Sequence, residues 1–414
     1  MSDTSPTPLA ETIPAEVEEV VPPQPSLEPE PTAVAPGPVP RVLFAGGGTG
    51  GHLYPALALA EAFQRLDPRA EVYFVGAQRG VEARVLPERG VPHTLLPFEP
   101  IRREQPWRNW VLVPSLFRSM TGLARVFREF KPNLVVGTGG YASGPAVASA
   151  LLRGVPAAVQ EQNSYPGLVT RLVDGRVRQL HLAFPEARKH LKPGAKTEVF
   201  EFGNPIRPPD PSIDRADARA RFGLSAEGTV GLIVGGSQGA RPVNEALLAA
   251  LNGVAAGKLP APPADFQLLW ATGPAHYESV AARLDATGAA SWVHAFPYIQ
   301  NMPGALAAAD FAVSRAGAMA LAELCAWGIP MVLVPLPHAA ANHQHHNAVA
   351  LEQAGAAAVV NEPELGSGKL WTEILSLAND PARRARLAAA SRARGIPDAA
   401  DRIVAQLIRL AVSR

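Results

Sequence analysis

The sequence predicts an α/β protein made of two Rossmann-like domains, each with a doubly wound parallel sheet, facing one another across a cleft. Three observations carry this. Short apolar runs alternate with helix-period stretches along most of the chain, as in strand–helix–strand units whose sheet is buried on both faces. A glycine-rich turn follows an apolar run in each half, Gly46-Gly-Gly-Thr-Gly-Gly51 and Gly235-Gly-Ser-Gln-Gly239. Between the halves lies a proline-rich stretch, Gly203-Asn-Pro-Ile-Arg-Pro-Pro-Asp-Pro211, after which the pattern starts again. With 414 residues and 47% hydrophobic content, the chain can bury two ordinary cores.

Taken in order, residues 1–40 contain 11 prolines, seven acidic residues and no Lys or Arg. Such a segment cannot bury enough apolar surface to offset its chain entropy, so residues 1–38 are expected to be a disordered acidic tail. Removing those seven acids from a formal net charge of +1 leaves +8 on residues 41–414. A basic body suits an anionic ligand, a membrane surface or nucleic acid, and equally a soluble, well-repelled protein. The first domain is expected over 39–207 and the second over 208–414.

Arg41-Val-Leu-Phe44 reads as a strand, the glycines as a turn, and Ala56 to Phe63 as part of a helix. Glycines leave no Cβ over the main-chain N–H groups, and the positive end of the following helix faces the same point, which suits a phosphate or a developing negative charge. Gly46, Gly48 and Gly51 satisfy the dinucleotide pattern G-x-G-x-x-G, which also asks for an acid after the second strand. That strand is Glu71 to Val75, and Gly76-Ala-Gln-Arg79 follows it without a carboxylate, which disfavours a nicotinamide cofactor. Residues 100–131 then interrupt the pattern with seven Lys/Arg against two Glu. Trp107, Trp110, Leu112 and Phe117 alternate there with Arg102, Arg103, Arg108 and Arg118. A basic amphipathic helix with aromatic anchors lies in lipid headgroups; the competing account makes the apolar residues core and the arginines a solvated face.

Asn133 to Gly137 is a buried strand leading to a second glycine turn, Thr138-Gly-Gly-Tyr-Ala-Ser-Gly-Pro145, and a helix to Leu152. Val155 to Val159 is another strand, ending in Gln160-Glu-Gln-Asn-Ser-Tyr-Pro166. The second half runs through strands at Val230 to Val234, Phe266 to Ala271, Trp292 to Phe296, Phe311 to Ser314 and Met331 to Val334. The last apolar-periodic stretch, Ala399 to Val412, is long enough to pack on either half. Ligands of doubly wound sheets bind at the carboxyl ends of the strands, where these turns lie.

Cys325 is the only cysteine, so no intrachain disulfide forms, in keeping with a reducing compartment. No signal peptide and no run of roughly 18 apolar residues is present, so a soluble or peripheral cytoplasmic protein is expected. Ser314-Arg-Ala-Gly-Ala-Met-Ala-Leu-Ala-Glu323 reads as strand end, turn and helix start, and Glu323 is placed to accept both hydroxyls of a ribose, with a surface carboxylate as the alternative. His338, His343, His345 and His346 lie close in sequence, but without the spacing or companion ligands of a zinc site, so a metal is disfavoured and Gln344 is read as a sugar contact. Neither G-x-x-x-x-G-K-[ST] nor G-x-S-x-G occurs, which removes a P-loop and a nucleophile elbow.

Six segments in order resemble one family: Gly46 to Pro55, Gly137 to Pro145, Glu161-Gln-Asn163, Gly203 to Arg207, Gly235 to Arg241 and Arg315 to Glu323. The chain is similar from about residue 41 to its end to the peptidoglycan N-acetylglucosaminyltransferases that act on undecaprenyl-diphospho-muramoylpentapeptide. The resemblance implies the GT-B fold, transfer of N-acetylglucosamine from its UDP donor to the lipid-linked sugar (lipid I to lipid II) with inversion, no cofactor or metal, no nucleic-acid partner, and a peripheral place on the cytoplasmic face of the membrane. Carried over, the donor site is Thr49, Gly50, Gly51, Asn163, Arg207, Ser237, Ile299 through its backbone, Ala318, Met319, Ala320, Leu321, Ala322, Glu323 and Gln344. Some members have glutamine where this chain has His343, which is left out. The acceptor hydroxyl needs a base: His52 at a helix start, or Glu161, with Tyr141 shaping the acceptor site. A sugar-nucleotide epimerase of the same fold, a non-catalytic membrane scaffold and a dinucleotide oxidoreductase are the alternatives.

Overall fold

A computed structural model describes residues 38–99 and 112–413. The expected tail, apart from Pro38, lies outside the described residues, as do Arg102, Arg103, Trp107, Arg108 and Trp110. The first half comprises β1 (Arg41–Ala45), α1 (Gly50–Leu66), β2 (Glu71–Ala77), α2 (Glu82–Glu88), β3 (His93–Leu96), α3 (Leu112–Phe130), β4 (Leu134–Gly137), α4 (Ser143–Leu152), β5 (Ala157–Glu161), α5 (Leu168–Val173), β6 (Gln179–Leu182) and β7 (Glu198–Phe200). Its strands form one seven-stranded sheet in the order β3-β2-β1-β4-β5-β6-β7, with every pairing parallel.

The second half follows with α6 (Arg215–Arg221), β8 (Thr229–Val234), α7 (Arg241–Ala255), β9 (Phe266–Ala271), α8 (Tyr277–Asp285), β10 (Val293–Phe296), α9 (Met302–Ala308), β11 (Phe311–Ser314) and α10 (Ala318–Trp327). Then come β12 (Met331–Leu333), α11 (His343–Gln353), β13 (Ala357–Val359), α12 (Lys369–Asn379), α13 (Pro381–Arg394) and α14 (Ala399–Val412). Six parallel strands stand in the order β10-β9-β8-β11-β12-β13. In both sheets the first strand of the half is central, and the order reverses beside it. That reversal opens the crevice at the carboxyl ends, where the glycine turns lie.

Central strands such as β4 and β8 are largely apolar on both faces because helices cover both faces. Four strands lie outside the apolar runs read in the sequence. β3, β7 and β13 are short edges, and β6 is interior but carries Gln179 and His181 between leucines. His181 is fully buried, stacks on Phe200 with Phe202 tilted beside it, and shares a hydrogen bond with Gln179. The polarity of β6 is thus buried rather than solvated, with His181 paired through Nε2 while its Nδ1 has no hydrogen-bond partner among the described residues.

α14 joins the first half, although it ends the chain. Ile403, Val404, Leu407, Leu410 and Ala411 share a core with Val42, Phe44, Leu53 and Phe63, and Arg65 of α1 pairs with Asp401. On α3, Leu123, Val126 and Phe127 enter the core beside Leu96 and Ala146, while Leu116 and Phe117 stand 49% and 71% exposed. The core account therefore holds for one face of α3, and the described apolar residues at its start point outward.

Candidate active site between the two sheets

At the carboxyl end of β1 the first glycine turn meets the second. Gly139 and Gly140 take φ of +95° and +75°, and a Cβ on Gly139 would lie 2.6 Å from His52 Nδ1, so only glycine admits the imidazole. Thr138 Oγ1 donates to the carbonyl of His52 at 2.8 Å, which ties the start of α1 to the end of β4. The N–H of Gly48, expected to be free for an anion, is taken by Glu82. Both oxygens of that fully buried carboxylate accept it, at 2.9 and 3.0 Å, and Oε1 also accepts from Ala77 N. The first carboxylate after β2 therefore pins the turn from behind. The ring of Tyr141 covers Gly48, and burial, then Glu82 and Glu99, raise its hydroxyl pKa.

His52 Nδ1 lies 3.2 Å from Gln162 Oε1, and Nε2 has no partner among the described residues. Thr49, Gly50 and Gly51 form the start of α1 beside it, with Thr49 and Gly51 exposed. Glu161 does not share this openness. Its Oε1 accepts from Asn163 N and Nδ2, and its Oε2 from Gly167 N and Thr170 Oγ1. Both oxygens of this 3%-exposed group hold their own loop, so the carboxylate is bonded to residues 163–170 and not to His52.

In the second half, α10 starts after Gly317 without a capping side chain, and the N–H groups of Ala318, Met319 and Ala320 have no partner among the described residues. Leu321 anchors the helix in the core, Ala322 is half-buried, and Glu323 lies one turn on. Glu323 is largely buried yet has no side-chain partner among the described residues, and burial raises its pKa. A desolvated carboxylate without donors is ready for a ligand that brings them. Ile299 buries its side chain in the same core cluster, while its main-chain N–H and C=O are unpaired among the described residues. Ser237 is exposed in its glycine turn, and Gln344 Oε1 accepts from Leu336 N at 3.0 Å, holding the loop before α11.

Arg207 does not join the group. Its guanidinium pairs with Glu61 at 3.4 Å on the exposed flank of α1, about 16 Å along that helix from its glycine turn at the usual rise per residue. His343, left out by the motif comparison, comes close instead. Its Nδ1 donates to Ala340 O at 2.7 Å, and burial, with His52 adding to the effect, lowers its pKa. His346 stacks on Tyr165, so the histidine run is divided among separate partners.

A polar seam, unforeseen in the sequence, joins the halves. Asn347 of α11 accepts from Ser164 N and Oγ and donates to Asn163 Oδ1 and Ala316 O. Asn204 of the hinge donates to Gln162 O and Ala318 O and accepts from Gln160. Asn163 is therefore spent on the seam. The only trace of it in the sequence is the run of amides closing β5, which reads as ordinary loop polarity.

Residues 42–181 match the glycosyltransferase family 28 N-terminal domain and residues 230–403 its C-terminal domain. The chain is 40% identical over 376 residues (89% of this chain, 98% of the relative) to a Moorella thermoacetica protein called UDP-N-acetylglucosamine--N-acetylmuramyl-(pentapeptide) pyrophosphoryl-undecaprenol N-acetylglucosamine transferase. A Chlorobaculum parvum protein of the same name is 40% identical over 377 residues, covering 90% of this chain and 100% of that one. Among solved structures, Acinetobacter baumannii MurG superposes with a TM-score of 0.68 at 27% identity, covering 90% of this chain and 100% of that one.

Proposed function

The chain belongs to glycosyltransferase family 28, among the UDP-N-acetylglucosamine-dependent N-acetylmuramyl-(pentapeptide) pyrophosphoryl-undecaprenol N-acetylglucosamine transferases, and from that premise we propose its reaction and the residues that carry it. It transfers N-acetylglucosamine from UDP-N-acetylglucosamine to the 4-hydroxyl of the lipid-linked muramoyl sugar, with inversion. One observation supports this assignment most: an unpaired helix start with the partnerless carboxylate Glu323 is linked through Asn204 and Asn347 to the loop that touches His52.

The donor lies on the second half. Ile299 offers its main chain to the base, Glu323 accepts from the ribose hydroxyls, and the N–H groups of Ala318 to Ala320 receive the diphosphate. Ser237 and Gln344 close over the phosphates and sugar, and Thr49 to Gly51 face them from the other half. UDP leaves as an anion, and donors already fixed at the helix start stabilise that charge as it forms. His52 takes the proton of the acceptor hydroxyl, while Glu161 holds the loop beside it. Tyr141, over Gly48, shapes the acceptor side.

The acceptor carries a lipid, which places the first half at the membrane. No helix among the described residues is long and apolar enough to cross one. The outward Leu116 and Phe117 of α3 offer exposed apolar side chains instead, with Arg118 exposed beside them. Arg102, Arg103, Trp107, Arg108 and Trp110 extend that reading by composition.

Incubation with radiolabelled UDP-N-acetylglucosamine and a lipid I analogue tests the reaction. Label moving into the lipid product, and only when the acceptor is present, is the expected result. Turnover of the sugar nucleotide without acceptor would show an epimerase instead. Donor binding without either reaction would show a scaffold.

A further inference from the structure

We infer that Gln162 is a positioning residue that holds His52 in its Nδ1–H tautomer and leaves the Nε2 lone pair to receive the acceptor proton. The proton-accepting role of Nε2 rests on the reading of His52 as base; the tautomer itself does not.

Backbone carbonyls, whose polarity is fixed, orient the amides around His52. Asn204 Nδ2 donates to two of them, Gln162 O at 3.1 Å and Ala318 O at 3.2 Å, so Asn204 Oδ1 must face Gln160. It accepts there from Gln160 Nε2 at 3.0 Å, which turns Gln160 Oε1 toward Gln162. The two hydrogens of Gln162 Nε2 are shared among that oxygen, Thr138 O at 2.9 Å and Gln160 O at 2.8 Å, the last two being backbone carbonyls that can only accept. Reversing the Gln162 amide would set its carbonyl against three oxygens. Thr138, Gln160, Gln162 and Asn204 are all buried, so water cannot repair such a reversal.

Gln162 Oε1 is therefore the atom 3.2 Å from His52 Nδ1, and an amide oxygen only accepts. The imidazole must donate from Nδ1, and in the neutral ring the lone pair then lies on Nε2. The same chain of bonds runs from the first turn of α10, through the hinge, to the imidazole. The residue that holds the tautomer is thus anchored to the helix that receives the donor.

Long-range proton–nitrogen correlation on the full chain with 15N-labelled histidine reads the tautomer directly, with His52 assigned by the signals missing in His52→Asn. Above the range where imidazole protonates, His52 is expected to show the Nδ1–H pattern. An Nε2–H pattern overturns the inference, and this measurement needs no variant at Gln162. Gln162→Met keeps the length and loses the amide. It is expected to move His52 toward the Nε2–H form and to lower kcat about tenfold to a hundredfold, the range typical for losing an imidazole's orienting partner, with donor KM within about twofold. An unchanged tautomer in that variant overturns the inference. A shifted tautomer with unchanged kcat supports the positioning role and instead refutes His52 as the base.

Discussion

At the scale of single residues, the site divides into carboxylates that are free and carboxylates that are spent. Glu323 has burial without donors, so its hydrogen bonds await a ligand. Glu323→Gln keeps the volume but removes the charge, and calorimetry should show UDP binding weakened by about 1 to 3 kcal/mol. Unchanged UDP affinity would remove the ribose assignment. Glu161 is the opposite case, with four donors from residues 163 to 170 converging on two oxygens. Glu161→Gln sets an amide N–H2 against some of those donors, so the urea midpoint should fall, by about 1 to 3 kcal/mol of stability. A variant that keeps its midpoint yet loses kcat would support Glu161 as the base. The sequence shows both glutamates at strand-end turns, but nothing in it says which one has its lone pairs filled.

At the scale of elements, α14 and α3 make opposite use of apolar periodicity. Leu407 is fully buried between α14 and the first sheet's helical layer, so Leu407→Ala should cost about 2 to 5 kcal/mol and lower the melting temperature of the first half. A loss below 1 kcal/mol would mean that the terminal helix is loosely held. Phe117 has no such role. At 71% exposure, its replacement by serine should leave the melting temperature within about a degree, as exposed positions usually do, while binding to anionic vesicles falls. Equal vesicle binding by wild type and Phe117→Ser would detach the membrane reading from α3. The basic residues near it make that binding salt-dependent.

At the scale of the molecule, the interior carries an acid-sensitive element in β6. Burial pushes the pKa of His181 down to about 3 from an ordinary 6.5, so the unfolded chain binds a proton between those values that the folded chain refuses. Stability is therefore lost as pH falls from about 6.5 toward 3, at up to about 1.4 kcal/mol per pH unit from this group. His190, His294, His343 and His346 are also lowered by burial and act in the same direction. Urea midpoints at pH 7 and pH 5 should fall together less in His181→Phe than in wild type. Identical slopes would show that His181 becomes protonated in the folded state.

The α/β class, the two sheets, their central strands and the glycine turns at the strand ends were legible in the sequence because each depends on local periodicity and on backbone that only glycine permits. The order of motifs likewise pointed to the GT-B fold and to the transferase family. Tertiary structure alone decided the rest. It attached α14 to the first half, although Ala399 to Val412 is equally amphipathic toward either. It gave Gly48 N–H to Glu82 and paired Arg207 with Glu61 on a helix flank. It also brought Gln160, Gln162, Asn204 and Asn347 into one buried seam, across separations of up to 184 residues between Asn163 and Asn347. Hydrogen-bond partners follow from distance in space, and an amide in a sequence carries no mark of the carbonyl that will orient it.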